Sequence, residues 1–156
     1  METVIFVGIQ ASGKSTFYRE RFFDTHVRVS RDMLKTKHRE AVLVEACLRA
    51  RQPFVIDNTN VLAAERARYV AAAKACGFRV VGYFFRATGR EAIARNKLRT
   101  GRAVIPIPGI LGTLKKLEEP AWAEGFDELH VVTITESGAY RIEGAPPDAP
   151  PAPPSA

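Results

Sequence analysis

The chain is poor in cysteine, histidine and long apolar runs. Only Cys47 and Cys76 are present, and both fall in segments that read as helix, which excludes a disulfide scaffold and a cysteine zinc site. The three histidines, His26, His38 and His130, are scattered without metal-ligand spacing, and each reads as a structural or surface residue. No apolar run approaches the roughly 18 residues a membrane span requires, and the N-terminal stretch 4–9 is too short for a signal-peptide core. A membrane role is thereby excluded and a cytoplasmic location expected. Proline is scarce through most of the chain, but six of its ten copies crowd into residues 146–154. Without a large apolar side chain, residues 144–156 read as a Pro/Ala-rich disordered tail, and residues 1–143 as one folded domain.

What is present is a globular composition, 46% apolar and 26% charged in 156 residues, with 23 Lys and Arg against 17 Asp and Glu. The net charge of +6 points to a phosphate-bearing partner. The only tail charge is Asp148, so the body stands one charge higher. Runs rich in Val, Ile and Phe at 3–7, 26–29, 54–56, 79–85 and 129–133 read as strands. They alternate with helical segments at 14–23, 31–51, 62–76, 90–99 and 106–117, the third closed by Gly77 as C-cap. This alternation predicts an α/β fold of three layers: a parallel five-stranded sheet with helices on both faces. Trp122 and Phe126 are expected to pack the connection into the last strand.

Between the first strand and first helix lies Gly8-Ile9-Gln10-Ala11-Ser12-Gly13-Lys14-Ser15-Thr16. Its Gly, four residues, Gly-Lys-Ser pattern bends backbone N–H groups into an anion nest at a helix N-terminus. Lys14 can reach the β- and γ-phosphates of a nucleoside triphosphate, and the Ser15 hydroxyl can hold Mg²⁺. Parallel strands end at one sheet edge, so Ser30-Arg31-Asp32 and Asp57-Asn58-Thr59-Asn60 are expected beside the loop. Asp32 is positioned to accept a proton from an attacking hydroxyl near the γ-phosphate, or to stabilise a helix N-terminus, and the two roles are compatible. Asp57, after three apolar residues, fits an acid that orders the Mg²⁺ water shell, with capping as the alternative shared by Asn58, Thr59 and Asn60. Residues 86–102 hold Arg86, Arg90, Arg95, Lys97, Arg99 and Arg102 against one acid, Glu91. Arg95 and Arg99, four apart, are expected on one helix face, and with Gly101 as hinge the segment reads as a basic lid over the triphosphate or, more blandly, as a solvated basic face.

Taken together, the phosphate loop, Val-Ser-Arg-Asp at 29–32, Ile-Asp-Asn-Thr-Asn at 56–60, Arg-Asn-Lys-Leu-Arg at 95–99 and Glu-Gly-Phe-Asp at 124–127 resemble the kinase domain of 5′-hydroxyl polynucleotide kinases. The likeness spans about residues 3–134. It implies a P-loop NTPase fold of the nucleotide-kinase type, with ATP and Mg²⁺ as cofactors and transfer of the γ-phosphate to the 5′-OH of a single-stranded or end-exposed nucleic acid. By this resemblance Gly8, Gln10, Ala11, Ser12, Gly13, Lys14, Ser15 and Thr16 bind the nucleotide, with Arg95 and Arg99 as lid arginines and Arg99 on the β/γ-phosphates. Ser15 and Asp57 attend the metal, Asp32 is the general base, and Arg31, Asp32 and Lys35 meet the acceptor. Lys35 stands where some members carry an arginine, a weaker clamp for an acceptor phosphate. Two other readings remain: a P-loop kinase of a small-molecule hydroxyl, and an ATP-binding accessory protein that hydrolyses nucleotide slowly. The oligomeric state is left open.

Overall fold

In a computed structural model that describes residues 1–101, 104–150 and 154, one mixed sheet runs through the molecule. Its strands are β1 (Glu2–Val7), β2 (Val27–Val29), β3 (Phe54–Ile56), β4 (Arg79–Phe85), β5 (Glu128–Ile134) and β6 (Tyr140–Gly144), in the order β2-β3-β1-β4-β5-β6. The first five are parallel. The sixth corrects the five-stranded expectation, because it pairs antiparallel with β5. Its sequence hides the strand: one apolar Ile142 between polar neighbours, half-buried at the sheet edge.

The central strand β1 is buried along both faces, as a strand between two helical layers must be. Ile5 and Val7 join Val29, Ile56 and Val80 on one face, covered by α3 (Lys37–Arg49) and α4 (Ala63–Ala75). Val4 and Phe6 point the other way, into an aromatic cluster with Phe17 and Phe22 around α1 (Lys14–Arg21). In that cluster Phe17 meets Phe6, Phe85 and Tyr140 edge to face at 5.0–5.8 Å between centroids, the arrangement in which aromatic rings attract. Gly77 closes α4 as expected, with φ +72 and the Phe78 N–H reaching back to the Ala73 carbonyl at 2.9 Å.

The predicted helix over 31–51 is two. A short α2 (Arg31–Leu34) stops at Lys35, whose φ of 72 is left-handed. Thr36 then starts α3, its hydroxyl accepting from the Arg39 N–H at 3.1 Å. Threonine offers the backbone a cap that competes with continuation of the helix. The segment expected to act as a lid contains α5 (Gly89–Asn96), opened by a capping box of Thr88 and Glu91, and is followed by α6 (Ile107–Lys116). Helix α5 ends three residues before the predicted 99 because Asn96 turns its amide onto Ile105, donating to its carbonyl at 2.6 Å and accepting from its N–H at 2.9 Å.

Just beyond β6, residues 145–148 lie against the body. Asp148 accepts from the N–H groups of Trp122 and Ala123, both at 2.8 Å, and the Trp122 indole donates to the Pro146 carbonyl. Trp122 and Phe126 pack where expected, at the connection into β5. Among the described residues, no helix is long and apolar enough to cross a membrane.

Candidate functional site

The carboxyl ends of β1, β2 and β3 meet at one edge and build a cavity of about 330 Å³. Residues 10–15 of the phosphate loop form its floor, with Gly8 behind them and outside the cavity wall. Gly8 is confined by close approach: a Cβ there would lie 3.0 Å from the Phe85 carbonyl oxygen. Gly13, at the N-cap of α1, has φ +95, open to glycine at little cost. Its carbonyl accepts from the Tyr140 hydroxyl at 2.8 Å, so β6 braces the loop from behind.

Lys14 is buried, with Nζ donating to the carbonyls of Gly8 at 2.9 Å and Ile9 at 2.6 Å. Burial lowers its pKa to about 8; Asp57 and Asp32 pull it upward and Arg99 pushes it down. Three side chains from separate segments therefore act on one ammonium. Because the folded value lies below the 10.5 of a free lysine, burying charged Lys14 costs stability below about pH 8, and this cost fades as pH rises from there towards 10.5. A bound polyphosphate would hold Lys14 protonated. Nucleotide affinity should therefore be flat below about pH 7 and fall by up to roughly tenfold per unit above about pH 8. Titration of ADP binding calorimetrically from pH 7 to 9.5 checks this, with Lys14→Met expected to bind weakly and without the slope.

Across the loop, Ser15 Oγ donates to Asp57 Oδ2 at 3.1 Å. Arg28, from the middle of β2, donates through Nε to the same Oδ2 at 2.7 Å and through Nη2 to Ser15 Oγ at 3.0 Å. The sequence reading missed Arg28. A charged residue between two valines in a strand leading to Ser30-Arg31-Asp32 was the available signal.

Asp32, in the first turn of α2, lines the cavity beside Arg31, Asn58 and Asn60. Asn58 fixes that turn, its Oδ1 accepting from the Arg31 N–H at 2.8 Å and its Nδ2 donating to Glu40 at 3.0 Å. Glu40 is buried and also holds both Nε and Nη2 of Arg31 at 3.3 Å, together with the Tyr69 hydroxyl. Burial works to raise the Glu40 pKa, but hydrogen bonds from Tyr69, Arg31 and Asn58 outweigh it and hold the carboxylate below its ordinary range. Tyr69, through its own burial and that carboxylate, is pushed up to about 12. Neither residue was legible in sequence, where both look like ordinary helix positions. Glu65, from the start of α4, adds an unanticipated acid to the wall. Asn60, at φ 46, donates to the Phe6 carbonyl at 2.8 Å. Its own carbonyl accepts from the fully buried Arg66 at 2.7 Å, whose Nε and Nη2 grip the Glu124 carboxylate at 2.7 and 2.9 Å.

Helices α5 and α6 are docked onto the loop. Gln10 Nε2 donates to Thr113 Oγ1 at 2.9 Å, and Ile9 and Ala11 pack with Ala92 and Ile110. Arg99 and Ile105 reach the cavity wall. Arg95 does not share a face with Arg99, since only Arg95 lies within α5; its Nη1 is buried with no hydrogen-bond partner among the described residues. Arg86, the first of the basic residues expected in the lid, precedes α5 and lies over the Phe84 ring, 3.7 Å from Glu119. Arg90 and Lys97 are exposed, and Arg102 lies outside the described residues. Lys35 and Thr16 are exposed and not part of the cavity wall.

The fold is similar to that of a gluconokinase from Sinorhizobium meliloti 1021, with a TM-score of 0.62 and 18% identity over 85% of this chain and 82% of that one. It is similar also to Kti12 from Chaetomium thermophilum, solved with ADP-AlF3, at a TM-score of 0.64 and 15% identity over 87% and 92%. A sugar kinase from Janibacter sp. HTCC2649 matches at 0.59 and 14% identity over 85% of each chain. At such identities the likeness is one of fold. A family model described as an AAA domain matches residues 4–115, a span that takes in the phosphate loop, Asp32, Asp57 and α5. The chain belongs to this AAA domain family and has its P-loop, kinase-like α/β fold.

Proposed function

We propose that the protein transfers the γ-phosphate of MgATP to a hydroxyl, with Asp32 as the base that takes the hydroxyl proton. The observation that carries this reading is the convergence of Asp32, Lys14, Asp57 and Arg99 on one cavity at the carboxyl edge of the sheet. In phosphoryl transfer the protein's main task is to position the reactants and offset negative charge on the transferred group. Backbone N–H groups of the loop and Lys14 would cradle the phosphates, while Arg99 would approach the β/γ-phosphates from the lid. The residues fit a magnesium ion: Ser15 Oγ and the Asp57 carboxylate are hard oxygen donors 3.1 Å apart. Mg²⁺ needs few protein ligands because it keeps waters and takes phosphate oxygens. Bound there, it would neutralise charge on the β- and γ-phosphates.

For the acceptor we propose the 5′-hydroxyl of a polynucleotide. The Ser30-Arg31-Asp32 and Asp57-Asn58-Thr59-Asn60 motifs and the net charge of +6 support it. A small polyhydroxyl acceptor is favoured by a different observation, the carboxylate of Glu65 in the same wall, which would repel an acceptor phosphate. A γ-phosphate transfer assay over 5′-OH DNA, 5′-OH RNA and small polyols separates the two. Labelled oligonucleotide, with acceptor KM rising steeply with salt, is the expected result. Labelling of polyols alone selects the second reading, and no transfer to any hydroxyl overturns both.

A further inference from the structure

The Ser15 and Asp57 oxygens assigned to the metal are held by a cation of the protein's own. Arg28 places Nε 2.7 Å from Asp57 Oδ2 and Nη2 3.0 Å from Ser15 Oγ, so a single guanidinium spans both donors. Asp57 is almost wholly buried, with 2% of its side chain exposed, whereas 29% of the Arg28 side chain reaches solvent. The carboxylate cannot turn away from the site. The arginine can: β2 is an edge strand with a neighbour on one side only, and the guanidinium lies 5.9 Å from the centroid of the Tyr18 ring, a surface on which a cation can rest.

Two cations drawn to these oxygens oppose one another. A divalent ion ligated by Ser15 Oγ would stand within a few ångströms of the guanidinium, where like charges in a partly desolvated pocket repel strongly. Lys14, whose pKa Asp57 raises, already adds a third positive group nearby. We infer that Arg28 is a built-in competitor of the divalent cation: it holds Ser15 and Asp57 together, suppresses binding of free metal, and yields only when nucleotide phosphates supply further ligands to the ion. Metal and nucleotide would then enter as a unit. The inference rests on the metal reading of Ser15 and Asp57 given above, and not on the identity of the acceptor.

The test is Mn²⁺ binding to the full chain, followed by the electron paramagnetic resonance signal of the free ion at constant ionic strength, with and without ADP. Arg28→Met keeps an apolar stem against Tyr18 and removes the charge. It should bind Mn²⁺ without nucleotide on the order of tenfold or more tightly than the parent, and ADP should narrow that gap. Arg28→Lys keeps the charge and should stay close to the parent. Arg28→Gln, checked by circular dichroism, stands in if the methionine variant does not fold. Equal or weaker Mn²⁺ binding by a folded, uncharged variant overturns the competitor role. Mn²⁺–ADP binding that is indifferent to Asp57→Asn overturns the metal assignment and the inference with it, whereas a negative transfer assay leaves both standing.

Discussion

Arg66→Met should destabilise the protein by about 3–5 kcal/mol, the cost of removing one partner from a buried ion pair and leaving the other charge unmatched. Arg66 is fully buried, and all three of its hydrogen bonds are between 2.7 and 2.9 Å. Two grip Glu124, whose carboxylate also receives the Ala121 N–H at 2.8 Å. The third holds the carbonyl of Asn60, a residue with a left-handed backbone in the loop that carries Asp57. Methionine matches the length of the stem but offers none of these donors. In a thermal melt the loss should appear as a fall in Tm on the order of 10 °C. Glu124→Gln, which leaves the fully buried Arg66 charge without its counter-ion, should cost a comparable amount. Combining Arg66→Met with Glu124→Leu should restore part of the loss, because no charge is then left unpaired. A single Arg66→Met variant that melts with the parent would show that the pair does not hold α4 to the connection before β5.

Asp32→Asn should lower the rate of phosphate transfer by about 10²–10⁴, the usual contribution of a positioned general base. Nucleotide affinity should stay within about threefold, because the loop and Lys14 carry that contact and Asp32 is the weakest of the influences on Lys14. The exchange is isosteric, and α2 spans only Arg31–Leu34, so little folding energy is at stake. Asp32→Glu, one methylene longer, should retain more activity than the amide. Transfer by Asp32→Asn at the parental rate, on whichever acceptor the panel selects, would remove Asp32 from the chemistry and leave it only its role at the start of α2.

The parts legible in sequence were those in which a few adjacent residues dictate both geometry and chemistry. The phosphate loop is of this kind: Gly8 and Gly13 are demanded by backbone approach and backbone angle, and Lys14 and Ser15 follow within two positions. Strands β1 and β3 were readable because burial on both faces demands an apolar run of Val, Ile and Phe. Where pairing or contact is distant the sequence was silent. Strand β6 has only an edge to fill, so its composition carries no strand signature. The break at Lys35 rests on one threonine cap, a contribution of about 1 kcal/mol that helix propensity over 31–51 conceals. Glu40 and Tyr69 meet from two different helices, and Arg28 meets Asp57 across two strands. Such pairs acquire meaning only after the chain has folded. The shared-face reading of Arg95 and Arg99 failed because Asn96 prefers a bond to Ile105 over continuation of the helix.

The hydrogen bond from Tyr140 to Gly13 joins residues 127 positions apart. It gives the nucleotide loop a place in the order of assembly. The glycine-rich turn leaves the ribosome well before the strand that braces it, which arrives only after β5 has been made and the chain has doubled back. Contacts of such long range are the ones that slow folding, since the whole intervening loop must be closed before they form. The motif readable first along the chain is thus among the last to receive its full support, and a nascent chain that stops short of Tyr140 carries the phosphate loop without its brace.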